Sequence, residues 1–256
     1  MSIFNQEELR CAVCGHVSSY YMCGSMSCFG DKHLDTRPGW HNPRSECFLQ
    51  CDDCKYVAPN LEEETPITLD WVKRKEYAQL EGYTFESNAS QRMFRRYLID
   101  EYLQDAESCF WDLLSVAWGC DSFWEKENAR MCRKMALSIV EENHLFEDGK
   151  PENQILLADL YRRSGDFHQV EERFANLDLG EEELNKLLQF EVEKAREQDT
   201  KRYTVKNALG ESDEILDREI VSEDEESQEE NEPEKVEETK NENQVQEEQE
   251  ADTNLI

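Results

Sequence analysis

From Asn88 onward apolar residues return every three or four positions, the period of a helix with one buried face. A helix opening at Asn88-Ala89-Ser90-Gln91 carries Phe94, Tyr97, Leu98, Tyr102 and Leu103. A second carries Phe110, Leu113, Leu114, Ala117 and Trp118, and Gly119 is expected to end it. Trp124, Ala129, Cys132, Met135, Ala136 and Ile139 mark a third, longer helix. Gly149-Lys150-Pro151 then breaks the chain, with Pro151 suited to a first helical turn. Leu184, Leu187, Leu188, Val192 and Ala195 form a last amphipathic helix, placed to cap the open end of a stack.

Residues 154–177 are more specific. Leu157, Ala158, Tyr161, Gly165, Phe167, Val170, Phe174 and Leu177 follow tetratricopeptide spacing, in which small and apolar residues knit two antiparallel helices around a turn at Ser164-Gly165-Asp166. Gln154 stands where Trp is common, Val170 and Leu177 where Ala is common, and no clean second copy follows at a 34-residue period. The pattern predicts a stack of helical hairpins.

Before Pro59 the pattern is different. Met1 to Arg10 reads as a short lead-in to Cys11-Ala12-Val13-Cys14-Gly15, and Cys51-Asp52-Asp53-Cys54-Lys55 closes the region before a strand-like Tyr56-Val57. Two Cys-x-x-Cys pairs read as one four-thiolate zinc site of Cys11, Cys14, Cys51 and Cys54, because two intervening residues let a tight turn aim both sulfurs at one point. Gly15 stands where a positive φ helps the turn, and Lys55 holds the equivalent place. A redox Cys-x-x-Cys belongs at a helix start after a strand, a context neither pair has. The insert from Gly15 to Gln50 carries Cys23, Cys28 and Cys47 with His16, His33 and His41, the material of a second metal site or of ordinary loop side chains. Within it, Leu34-Asp35-Thr36-Arg37-Pro38-Gly39 reads as a turn with Arg37 pairing Asp35, or as a loop facing a ligand.

Cys109, Cys120 and Cys132 sit on helices among aromatic neighbours, where cysteine acts as a small core hydrophobe. Trp111, Trp118 and Trp124 are core residues or the lining of a groove, and His144 and His168 are isolated surface residues.

Charge narrows the function. Residues 211–256 carry 20 Asp or Glu against 3 Lys or Arg, a net of −17 out of −31, which leaves −14 on the rest. An acidic surface repels phosphate backbones, so nucleic acid is not an expected partner. The aromatic-free tail cannot bury enough apolar surface to order itself, and it reads as a solubilising segment or a tail for a basic partner. There is neither a basic start followed by an apolar run nor a stretch of about 18 apolar residues. A cytoplasmic chain with reduced thiols is expected, which favours metal over disulfides.

The expected architecture is mainly α: a zinc-ribbon-like β module at 1–60, a tetratricopeptide-like helical domain at 61–210, and a disordered acidic tail at 211–256. Six stretches carry a wider resemblance: Cys11 to Gly15, Asp35-Thr36-Arg37-Pro38, Cys51 to Val57, Ala117 to Asp121, Ala129 to Lys134, and Leu160 to Gly165. In order and spacing they resemble an uncharacterised bacterial family with an N-terminal four-cysteine zinc ribbon and tetratricopeptide-like helices. The resemblance implies metal binding and helical repeats, and no assigned reaction. No nucleophilic triad, phosphate loop or open metal site stands out, so the leading expectation is a non-enzymatic structural-zinc protein that binds a protein partner through its helices. A thiol-based redox or metal-responsive sensor is the alternative, and an enzyme built on a second metal at Cys23, Cys28 and a histidine is a third.

Overall fold

The computed structural model describes residues 3–25, 28–39 and 41–212, so nearly all of the acidic tail lies outside the described residues. The described chain is mainly helical, with small two-stranded sheets near its N-terminus. Strand β1 (Ile3–Arg10) pairs antiparallel with β2 (Val17–Ser25), Arg10 opposite Val17. Strand β3 (Leu49–Gln50) pairs with β4 (Val57–Ala58), Gln50 opposite Val57. Each Cys-x-x-Cys is thus the turn of a hairpin. The stretch before Cys11 is a strand and not a lead-in. Its consecutive polar residues Gln6, Glu7 and Glu8 hide the alternation, and β2 supplies its pairing across the turn.

The insert contains one short helix, α1 (Pro43–Cys47), whose N-cap Asn42 accepts from the Ser45 N–H. The helices α2 (Leu69–Val72), α3 (Lys75–Ala78), α4 (Asn88–Leu103), α5 (Ala106–Ser122) and α6 (Lys126–Asn143) follow. After them come α7 (Pro151–Arg163), α8 (Phe167–Phe174), α9 (Glu182–Arg196) and α10 (Val205–Leu209). Helix α4 starts at Asn88 because the Ser87 hydroxyl accepts from the Ala89 and Ser90 N–H groups. Pro151 occupies the first turn of α7, and Gly165, at φ +78°, turns the chain from α7 into α8. From α4 to α9, helices adjacent in sequence pack on one another.

One expected helix end is displaced. Gly119 does not stop α5, which continues to Ser122. A Cβ at position 119 would run into the Ser90 hydroxyl of α4. The glycine is there to bring two helices close, a tertiary reason that overrides its weak helix propensity.

Three buried clusters organise the packing. The largest joins α4 to α9 through residues such as Phe94, Phe110, Leu114, Ala136, Leu160 and Val192, and it absorbs Cys109, Cys120 and Cys132. A second unites Leu9, Cys11, Tyr20, Cys51 and Val57 of the hairpins with Trp71, Tyr77 and Ile99 of α2, α3 and α4. The third packs Leu34 of the insert against Ile155, Leu187 and Tyr203. Burying aliphatic or aromatic side chains of this size is worth about 1.5–3 kcal/mol each. The cysteine hairpins and the helices therefore draw on common apolar burial.

Candidate metal centre

The two knuckles are built alike. The Gly15 N–H donates to the Cys11 carbonyl at 2.8 Å and the Lys55 N–H to the Cys51 carbonyl at 3.1 Å. The Cys11 and Cys51 N–H groups donate to the His16 and Tyr56 carbonyls, each at 2.8 Å. Gly15 and Lys55 both take positive φ, +76° and +64°. Lysine accepts there a conformation glycine holds freely, at a cost of about 1–2 kcal/mol.

This backbone brings Cys11, Cys14, Cys51 and Cys54 together, with all four Sγ atoms within 4.8 Å of one another. The Cys11–Cys54 and Cys14–Cys51 sulfurs are 3.7 and 3.6 Å apart. Four sulfurs placed tetrahedrally at about 2.3 Å from one ion would be separated by about 3.8 Å. The spacing and the donor chemistry fit a thiophilic ion in tetrahedral coordination. Cys11 and Cys51 are buried, and Tyr77 braces the second knuckle by donating its hydroxyl to the Lys55 carbonyl at 2.7 Å.

Without a cation, burial opposes four negative charges at this point. It pushes the Cys11 thiol up to about 11 and the Cys54 thiol further. At Cys51 burial acts the same way, but the Cys54 and Asp53 N–H groups outweigh it and hold the thiol below its ordinary value. A bound divalent ion offsets this repulsion and makes all four thiolates tenable.

The Asp35–Arg37 turn has a different role from either expectation. Asp35 is 1% exposed, and its Oδ1 accepts from the Arg37 backbone N–H at 3.2 Å. The Arg37 side chain turns away, donating to the Trp118 carbonyl at 3.2 Å and the Ser122 hydroxyl at 3.1 Å. Asp35 Oδ2 accepts from Trp118 Nε1 at 2.8 Å and Arg163 Nη1 at 3.0 Å, with Arg133 at 3.8 Å. Arg133 and Arg163 also both reach Asp121, at 2.6 and 2.8 Å. The turn is thus the insert's anchor on α5, α6 and α7. Burial works against the Asp35 charge, but Arg163 and Arg133 outweigh it and hold the carboxyl below the usual range. The same opposition of burial and guanidiniums lowers Asp121.

A second ionic group ties α1 down. Arg44 pairs with Asp112 of α5, and Arg96 pairs with Asp100 of α4. The Phe48 ring lies 5.2 Å from the Arg44 guanidinium and 5.5 Å from that of Arg96. Burial first, then a hydrogen bond with Asp100, raises the Asp112 carboxyl to about 8, although Arg44 pulls the other way.

The remaining expectations sort readily. Among the described residues no second group of three or more metal-ligating side chains comes together, so Cys23, Cys28 and Cys47 do not assemble with a histidine. His144 and His168 are exposed. Trp118 is buried, whereas Trp124 is 44% exposed. The ionic residues Asp112, Asp121, Arg133 and Arg163 share no spacing that marks them as a set. Asp112 alone carries a local signal, a charge between apolar neighbours in Phe110-Trp111-Asp112-Leu113-Leu114, whereas Asp121, Arg133 and Arg163 have polar or charged neighbours such as Ser122, Lys134 and Arg162. No helix of the described residues is long and apolar enough to cross a membrane. Comparison with protein-family models, curated proteins and solved structures finds no match to this chain.

Proposed function

We propose that this chain is a non-enzymatic structural-zinc protein that presents its helical stack, of tetratricopeptide-like hairpins, to a protein partner in the cytoplasm. The observation that carries the reading is the spacing of the four sulfurs, about that of a tetrahedral thiolate shell. Four thiolates fill zinc's coordination and leave no position for a substrate or an activated water, so the ion's contribution is folding energy. The Gly165 turn between α7 and α8 and the packing of successive helices support the repeat-like reading. The ribbon-like module at 1–60 and the helices at 61–210 act together in it, with the acidic tail as a solubilising appendage.

The redox-sensor alternative finds less support. It needs reachable thiols of low pKa. Burial raises Cys109 and Cys120 to about 12, and Cys132 higher still, so these three cannot serve it and only the cysteines of residues 11–54, among them the exposed Cys28 and Cys47, could.

Elemental analysis of protein purified without chelator tests the metal: one zinc per chain is expected, and iron or no metal overturns the assignment. Affinity capture from native lysate with the zinc-loaded full chain tests the interaction role. Absence of any partner above background removes it.

A further inference from the structure

The insert between the knuckles holds two neighbouring thiols that the metal centre does not use. Cys23 lies in β2 and is half-buried, and Cys47 is the last residue of α1 and is exposed. Helix α1 packs against β2, and this brings the two thiols within hydrogen-bonding reach of one another. They come from opposite arms of the loop: β2 leads out of the first knuckle, and α1 leads into the second. A disulfide joins Cβ atoms about 3.5–4.5 Å apart, which requires side chains that face one another, as these do.

Burial first, and then the neighbouring Cys23, raises the Cys47 thiol above its ordinary value. Cys47 therefore reacts slowly as a single thiol. Whether a dithiol is oxidised at equilibrium is set by its reduction potential and not by its speed. The fold already holds the two sulfurs side by side, so each presents a high effective concentration to the other. That favours closure to one internal bond over two separate mixed disulfides.

We propose that Cys23 and Cys47 form a reversible disulfide that staples the two arms of the insert. The inference goes beyond the interaction role and does not depend on it. The oxidant is a low-molecular-weight disulfide such as glutathione disulfide. Cys47, the exposed thiol, loses its proton and attacks one glutathione sulfur; that S–S bond breaks and one glutathione leaves as a thiolate. Cys23 then loses its proton and attacks the Cys47 sulfur of the mixed disulfide, forming the internal bond and releasing the second glutathione thiolate. The two protons end on the released thiolates, so two protein thiols are oxidised and one disulfide is reduced to two thiols. The closed bond encloses the 23 residues from Gly24 to Glu46. It restricts the unfolded chain and so stabilises the fold. Cys28, exposed and five positions from Cys23, is the rival that proximity in sequence would choose.

The test equilibrates the full chain, purified without chelator, in glutathione redox buffers. Remaining thiols are blocked with iodoacetamide, and the digest is mapped by mass spectrometry without reduction. The expected result is a Cys23–Cys47 cross-linked peptide, an intact mass lower by two hydrogens, and return to the reduced mass in excess glutathione. Closure should raise Tm by about 5 °C or more. In Cys47→Ser neither the cross-link nor the rise appears, whereas Cys28→Ser keeps both. Glutathione adducts without the cross-link, a bond from Cys28 that takes its place, loss of the cross-link in Cys28→Ser, or a closed form no more stable than the open one each overturn the staple.

Discussion

Asp35 is the side chain on which the insert's attachment to the helices converges, and Asp35→Asn tests that directly. The substitution keeps the size and removes the charge. It leaves Trp118 Nε1 and the Arg37 N–H with a neutral acceptor at best, and it leaves Arg133 and Arg163 sharing Asp121. Removing one partner of a buried ion pair costs about 3–5 kcal/mol. Because Asp121 continues to pair both guanidiniums, the lower end, about 3 kcal/mol, is the expected loss. In a folded part of about 200 residues that corresponds to a fall in Tm of about 6–12 °C. Urea melts followed by far-ultraviolet circular dichroism at pH 7 give the free energy. Limited proteolysis should show the first new cuts within residues 28–42. Trp118→Phe deletes one hydrogen bond to a charged group, about 1.5–3 kcal/mol, and the double variant should lose less than the sum of the two. The pH dependence has a definite sign. The folded-state pKa of Asp35 is depressed, so its stabilisation is present above about pH 3.9 and is lost as pH falls through the folded value. Wild type and Asp35→Asn should therefore converge in acid. A loss below about 1 kcal/mol at pH 7, or a gap that persists at the lowest pH where both fold, refutes the account of the turn as an ionic anchor.

Other outcomes follow from the same contacts. Asp112→Asn should gain on wild type as pH rises from about 4 to 8 and hold steady above, because burial raises the folded-state pKa of Asp112 and its proton is lost across that window; a pH-independent difference would show that Arg44 keeps Asp112 ionised throughout. Gly119→Ala should cost about 1–3 kcal/mol in chemical denaturation, since a Cβ there meets the Ser90 hydroxyl of α4, and a neutral or stabilising result would mean that this hydroxyl rotates aside without cost. If the four-cysteine cluster holds zinc as proposed, Cys51→Ser should remove it, measured by elemental analysis, and expose sites before Asn60 to protease; one retained zinc would assign the ligand to another side chain.

The helices were legible because their apolar faces repeat with the helical period, and Pro151 and Gly165 mark boundaries through local chemistry. The cysteine cluster was legible for the same kind of reason: each pair is a local motif, and two pairs require only that their hairpins meet. What escaped the sequence is whatever depends on distant partners. Gly119 looks like a helix stop until Ser90 is seen against it. Arg37 beside Asp35 looks like a local pair, yet both side chains turn to residues more than eighty positions away. Strand β1 has polar residues on both faces, and only its register with β2 reveals it. Trp124 shares the helical spacing of its neighbours, but the end of α5 at Ser122 puts it outside the core.

The cysteine cluster and the Asp35 turn sit on one continuous piece of chain, and this bears on what metal does here. The insert leaves the first knuckle through β2 and re-enters the second through α1 and β3. Between them it is fastened at Asp35, at Asn42, whose Nδ2 donates to the Ser115 carbonyl at 2.8 Å, and at Arg44. All three anchors engage α5. Metal binding closes a loop whose middle is already pinned to that helix, so much of the closure entropy is met by packing rather than by the ion. Conversely, the second knuckle leans on Tyr77, and Cys51 shares a buried cluster with Trp71 and Ile99. Loss of metal should therefore reach α2, α3 and the start of the stack before it reaches α7 or α9, which contribute nothing to the cluster that holds the cysteines and carry the Arg162–Glu191 pair. Chelation followed by hydrogen exchange would display this order: protection should fall first in residues 49–80, then in the α4 segment around Ile99, with α7 and α9 last. Simultaneous loss across all of them would replace this graded coupling with one cooperative unit whose stability is set at the four cysteines.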